Sequence, residues 1–330
     1  MTLLEIRGLE VAYRTGDGKA PAVRGVDLTV DEGESVGLAG ESGCGKSTLA
    51  SSVLRLLPAS AEVRGQVLLE GENVLTMSWG RLRAMRWAGA SIVFQGAMHS
   101  LNPVRRVGQQ IAEAITTHES VTPSKAASRA GSLLEQVGLP ASRARAYPHE
   151  LSGGQRQRVM IAMALACEPR LIIADEPTTA LDVMVQAQVL DVLSQLVREL
   201  EVGLLLISHD LSVLGTTCDR AAVMYAGRIV EEGPAARLFS DPVHPYTRAL
   251  ASAFPTIGDP RSRLAPAGLG GDPPHPDQLP TGCAFHPRCP VAQSRCSEED
   301  VELAEASPDR RAACVLVGTQ QCGSQEWVQA

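Results

Sequence analysis

The stretch Gly40-Glu41-Ser42-Gly43-Cys44-Gly45-Lys46-Ser47 constrains the fold of this 330-residue chain more than any other. It matches G-x-x-x-x-G-K-[ST], the pattern of a loop that wraps phosphate groups. The apolar run Ser35-Val36-Gly37-Leu38-Ala39 before it predicts a buried strand. After it, Ser47 to Leu57 predicts a helix that stops at Pro58. Glycines let successive backbone N–H groups turn inward onto phosphate oxygens, where side chains would collide. The helix N-terminus adds a favourable partial charge. On this reading Lys46 reaches the β- and γ-phosphates and the Ser47 hydroxyl ligates Mg²⁺.

Composition narrows the class. With 44% hydrophobic and 20% charged residues the chain is an ordinary globular one, long enough for two domains. A net charge of −7 disfavours an extended nucleic-acid surface. No apolar run approaches the ~18–20 residues that span a bilayer, and Met1-Thr2-Leu3-Leu4-Glu5-Ile6-Arg7 lacks the layout of a signal peptide. The expectation is a cytoplasmic protein whose membrane role, if any, comes through partners.

Along the chain, residues 2–13 and 22–30 read as strands, with Tyr13 ending the first as an aromatic that can stack on adenine. Ser91-Ile92-Val93-Phe94-Gln95 is a β-branched strand whose terminal Gln95 can reach Mg²⁺ or an attacking water. Residues 105–147 read as a helical insertion. Leu151-Ser152-Gly153-Gly154-Gln155 opens a long helix running to Cys167, with Ser152 as N-cap and two glycines that leave N–H groups for an anion. Leu171-Ile172-Ile173-Ala174 is a buried strand ending in Asp175-Glu176. Two adjacent carboxylates there are costly unless used, the first for Mg²⁺ and the second as a general base. Val183–Leu200 reads as a helix and 203–208 as a strand that delivers His209. From about Leu238 the chain is Pro-rich and reads as a small appendage.

In that order these motifs resemble the ATP-binding subunit of an ABC transporter over at least residues 1–255. The resemblance implies an α/β fold, a P-loop NTPase cassette with a RecA-like core, an antiparallel β subdomain and a helical insertion of about residues 100–165. The cassette would occupy residues 1–237, and a small Cys-containing extension 238–330. It implies a head-to-tail dimer holding two ATP molecules. Each ATP would lie on Gly40, Ser42, Gly43, Cys44, Gly45, Lys46, Ser47 and Thr48 of one cassette, with Tyr13 against adenine. Ser152, Gly153, Gly154, Gln155 and Asp182 of the other cassette would cover it. Ser47, Gln95 and Asp175 would hold Mg²⁺, Glu176 would polarise water and His209 would hold the γ-phosphate.

A narrower resemblance, to the dipeptide/oligopeptide and nickel importer branch, rests on Glu176-Pro177-Thr178-Thr179-Ala180-Leu181-Asp182-Val183, Met224-Tyr225-Ala226-Gly227-Arg228 and His244-Pro245-Tyr246-Thr247-Arg248. It implies an ATPase powering peptide import at the cytoplasmic face of the membrane. The implied partners are a second ATPase subunit, two permease subunits and an extracytoplasmic solute-binding protein, with no nucleic acid. Nickel or another small solute is the alternative cargo, and a soluble ABC ATPase the alternative class. Gly96-Ala97 departs from the acidic residue and proline common in the branch.

Of eight cysteines, Cys283, Cys289, Cys296 and Cys314 form a spaced set in the tail. Four thiolates fit a tetrahedral Zn²⁺ or a [4Fe–4S] cluster, and four free thiols are the third reading; the resemblance implies the cluster. Cys44, Cys167 and Cys218 read as packing residues, and Cys322 has no obvious partner.

Overall fold

The computed structural model describes residues 1–16, 18–94, 96, 100–179, 181–253 and 269–317. Gln95, Ala97, Ala180 and Cys322, each singled out in the sequence, lie outside the described residues.

The chain opens with two long strands, β1 (Thr2–Thr15) and β2 (Gly18–Asp31), and the buried β3 (Ser35–Ala39). Helix α1 (Lys46–Val53) is shorter than the predicted span to Leu57, because Arg55 turns into the left-handed region before Pro58. Next come β4 (Ala61–Leu69), β5 (Glu72–Asn73), α2 (Trp79–Ala88) and β6 (Ala90–Val93). The insertion consists of α3 (Val107–His118) and α4 (Pro123–Gln136), the latter started by Pro123 at its first position and the Thr122 cap. Helix α5 (Gly153–Ala164) ends short of Cys167, and β7 (Leu171–Asp175), α6 (Val183–Leu200) and β8 (Gly203–Ile207) follow. The remainder is α7 (Leu211–Thr217), β9 (Arg220–Tyr225), β10 (Arg228–Pro234), α8 (Ala235–Ser240), α9 (Pro245–Ala253), β11 (Ala304–Ser307) and β12 (Arg310–Ala312).

The described chain divides into two compact units. The first comprises Met1–Glu5, Thr29–Ser35 and Leu68–Ile207. Its centre is three parallel strands, with β7 between β6 and β8 in the registers Val93↔Ala174 and Asp175↔Ile207. Every residue of β7 and β8 is buried, Asp175 at the end of β7 included, and all the others are apolar or glycine, as strands buried on both faces require. Helices α3, α4 and α5 pack on one another as the helical part of this unit.

The second unit comprises Ile6–Leu28, Val36–Val67 and Ser208–Ala330. It holds the sheet order β2-β1-β4 and a separate run β11-β12-β10-β9-β3. Strand β3 pairs parallel with β9, Val36 opposite Arg220 and Ala39 opposite Val223.

Among its described residues the tail carries more structure than its proline content predicts. Beyond α9, β12 pairs antiparallel with β10, Glu231 opposite Ala312. There Arg310 meets Glu231 at 2.9 Å with both side chains buried, and Glu231 also accepts the N–H groups of Val243 and His244 at 2.9 Å each. A buried carboxylate with that many donors is well satisfied. No helix among the described residues is long and apolar enough to cross a membrane.

Candidate functional site

The phosphate-loop pattern falls between β3 and α1, in the second unit. Gly40 and Gly45 have φ of 146° and 107°, and a Cβ on them would sit 2.2 Å from the Met224 carbonyl and 2.1 Å from that of Ala22. Neither collision has a flexible side chain to absorb it, so these two glycines are steric requirements. Lys46 is buried, and its ammonium donates to the carbonyls of Gly40 at 2.8 Å and Glu41 at 2.9 Å. The cation therefore closes the loop on itself, through neutral acceptors weaker than phosphate oxygens. Burial raises the Cys44 thiol above its ordinary pKa, and the adjacent Lys46 works against that. Ser42, Gly43 and Ser47 are exposed. The half-buried Tyr13 lies 3.1 Å from Thr48 through its hydroxyl, which ties the end of β1 to α1.

Two connections to this loop come from residues that sequence reasoning gave no role. The Glu41 N–H donates to the Tyr246 hydroxyl at 2.9 Å, and the Glu41 carboxylate accepts both arms of Arg288, at 2.7 and 2.9 Å. The only signal in the sequence was Tyr246 within His244-Pro245-Tyr246-Thr247-Arg248, noted as a branch signature and nothing more.

In the first unit, β7 ends at the buried Asp175. Glu176 follows at φ 46°, a left-handed conformation that is strained for any residue other than glycine, by of order 1–3 kcal/mol. Its N–H donates to the Ile207 carbonyl at 3.0 Å, and its Oε2 accepts the Thr179 hydroxyl at 2.9 Å. A half-buried carboxylate aimed by a hydroxyl and a strained backbone has the chemistry of a positioned base.

The start of α5 is a capping box: Ser152 Oγ accepts the Gln155 N–H at 3.3 Å, and Gln155 Oε1 accepts the Ser152 N–H at 3.1 Å. The Ser152 hydroxyl proton stays available to an anion, since a hydroxyl both accepts and donates. Gly154 has a second reason to be glycine: a Cβ there would lie 2.3 Å from Val185 Cγ1. Asp182 caps α6, its Oδ1 accepting the Val185 N–H at 3.0 Å.

His209 is exposed in the second unit, just before α7, which Asp210 caps. For Mg²⁺ the donors are of the right kind, since the Ser47 hydroxyl and the Asp175 carboxylate are hard oxygen ligands.

The tail cysteines do not meet the expectation of a preformed metal site. Among the described residues no group of three or more His, Cys, Asp or Glu side chains is placed to hold a metal ion. Cys283, Cys289, Cys296 and Cys314 nonetheless line one cavity of about 20 Å³. That is room for about one water-sized occupant, far too small for a four-iron cluster unless the cysteine turns move apart. Burial raises the Cys283 thiol, and it raises Cys289 to about 11, with neighbouring cysteines pushing the same way. Burial thus favours the neutral thiols, and ligation would have to displace their protons. Cys44, Cys167 and Cys218 are buried as expected, and desolvation holds Cys218 at about 12.

Comparison with known proteins agrees with the motif order. The family model described as ABC transporter matches residues 23–179, and that of the oligopeptide/dipeptide transporter C-terminal region matches residues 230–296. The oligopeptide transport ATP-binding protein OppD of Salmonella typhimurium is 42% identical over 314 residues, covering 94% of this chain and 93% of its own. A putative peptide import ATP-binding protein of Brucella abortus is 46% identical over 297 residues, 89% of each chain. Among solved structures, a dimeric ATP-binding cassette in a post-hydrolysis state with ADP and Pi superposes with a TM-score of 0.63 at 27% identity. It covers 70% of this chain and 98% of its own.

Proposed function

Because the chain belongs to the ABC transporter family of ATP-binding proteins, we propose that it is the ATPase subunit of an importer for peptides. The observation that carries this reading is a single chain with a complete phosphate loop and a match over residues 230–296 to the oligopeptide/dipeptide transporter C-terminal region. We take residues 1–237 as the cassette and 238–330 as the extension.

In the proposed mechanism, ATP binds on Gly40 to Thr48 with Tyr13 against its base, and Lys46 exchanges its carbonyl partners for the β- and γ-phosphates. Glu176, aimed by Thr179, takes a proton from the attacking water, and His209 orients the γ-phosphate. Ser47, Gln95 and Asp175 would hold Mg²⁺, which would neutralise phosphate charge. Ser152, Gly153, Gly154, Gln155 and Asp182 act on the nucleotide of a second cassette. Two membrane permeases and an extracytoplasmic solute-binding protein complete the assembly, which places this chain at the cytoplasmic face of the membrane. The four tail cysteines enter the proposal as a thiol set only; iron, sulfide and zinc content of the anaerobically purified chain decides what they bind.

The deciding experiment reconstitutes the chain with its permeases in vesicles and adds solute-binding protein loaded with an oligopeptide. Stimulated ATP hydrolysis supports peptide import. Stimulation by a nickel-loaded binding protein alone overturns it.

A further inference from the structure

We propose that Arg288, on the cysteine-rich tail, is a positioning residue of the ATP site that neutralises Glu41 inside the phosphate loop and thereby sets the affinity for the triphosphate. This rests on the assignment of residues 40–47 as the ATP-binding loop.

Glu41 is an unexpected residue for its place. It is the second residue of a loop whose task is to present N–H groups and a lysine to a polyanion, and a bare carboxylate there repels phosphate. The structure pairs it instead. Arg288 Nη1 and Nη2 take the two Glu41 oxygens at 2.7 and 2.9 Å, the bidentate geometry of a strong pair. The Arg288 side chain is 7% exposed and that of Glu41 20%. The guanidinium is itself held: Nε donates to the Gly270 carbonyl at 2.9 Å, Nη1 to the Tyr225 hydroxyl at 3.3 Å, and the group sits 5.8 Å from the Tyr225 ring centroid. Arg288 closes the turn His286–Arg288, which is pinned by His286 to the Cys283 carbonyl and runs straight into Cys289.

The backbone of Glu41 is fastened by the same C-terminal segment. Its N–H goes to Tyr246, whose buried ring packs edge-on against Phe285 at 5.3 Å. Pro273, Pro274 and Pro276 line a cavity of about 210 Å³ together with Glu41, Ser42 and Gly43. Tyr225, Tyr246, Phe285 and Arg288 thus brace the loop, and all of these groups lie within the second compact unit. Without Arg288 the Glu41 charge would stand uncompensated beside the incoming phosphates, whereas removing both charges together leaves no such penalty.

The test is calorimetric titration of the full chain with MgATP and MgADP. R288M is expected to weaken MgATP binding about tenfold or more. The loss is larger for ATP than for ADP and shrinks at high salt, because it is repulsion. The double variant E41Q R288M is expected to return to within about threefold of the unmodified chain, and E41Q alone to bind ATP at least as tightly as it. Unchanged ATP affinity in R288M, a double variant as weak as R288M, or a loss in E41Q each overturns the proposal. Should R288M not fold, a loss of ATP affinity in E41Q still overturns the proposal, as does a double variant more than about threefold weaker than the unmodified chain. If K46A binds MgATP as tightly as the unmodified chain, the loop assignment itself has failed rather than the role of Arg288.

Discussion

Two loops leave the ends of buried strands in this protein, and they hold their charged side chains in opposite ways. The loop after β3 is fastened across long stretches of sequence through Glu41, tied to Tyr246 and Arg288, while Lys46 turns back onto two carbonyls of the loop itself. The loop after β7 is held by near neighbours, Thr179 on Glu176 and Asp182 on Val185, and the start of α5 is likewise held locally by the Ser152–Gln155 box. The Glu176 N–H reaches farther, to the Ile207 carbonyl, and goes with a strained backbone. A loop that must receive a polyanion gains from being ordered before the ligand arrives, because that ordering cost falls on folding and not on binding. A base that acts only on the attacking water needs its aim fixed at the moment of reaction, and local ties leave it free to adjust.

Two substitutions test whether this division is real. The larger effect is expected from Glu176→Gln, which keeps the shape and the Thr179 contact but cannot take a proton. Single-turnover hydrolysis falls about 10²–10⁴-fold, while ATP affinity by calorimetry changes little. Lys46→Ala acts on the other loop: ATP affinity falls roughly 10–100-fold, the loss of charge-assisted bonds worth about 1.5–3 kcal/mol. If E176Q weakens binding as much as K46A does, the two loops are one cooperative unit and the contrast between them collapses.

The sequence reveals the two loops unequally. The phosphate loop, the Asp175-Glu176 strand end and the bounds of α6 are all legible, because each is encoded in a short run with its own period or glycine spacing. What braces the phosphate loop is not legible. Arg288 lies 247 positions from Glu41, in a segment where prolines hide every period, and nothing local says that one arginine among many will be buried on a carboxylate. The strands β11 and β12 escape for the same reason: β12 has three residues, and its partner β10 is some 80 positions earlier. The tail cysteines teach a different lesson. Their spacing brings four thiols to the lining of one cavity, yet spacing alone does not fix the distances that a metal demands.

Gly154 offers the smallest and most discriminating test. The sequence points to its bare N–H as an anion donor, whereas the structure adds that its missing Cβ lets α5 approach Val185. Gly154→Ala is expected to cost about 1–3 kcal/mol of stability by overpacking, lowering the melting temperature by several degrees. Val185→Ala removes the Cγ1 that a Cβ at residue 154 would strike. The Asp182 cap survives this change, since it uses the Val185 backbone N–H. Close neighbours couple, so in the double variant stability recovers part of the loss. The informative readout is ATP hydrolysis. If it recovers along with stability, Gly154 is there for packing, and the α5 end of the site acts through its helix terminus and Ser152. If stability recovers and hydrolysis does not, the glycine backbone itself meets the nucleotide, and the first unit then carries a rigid ligand contact like those of the second.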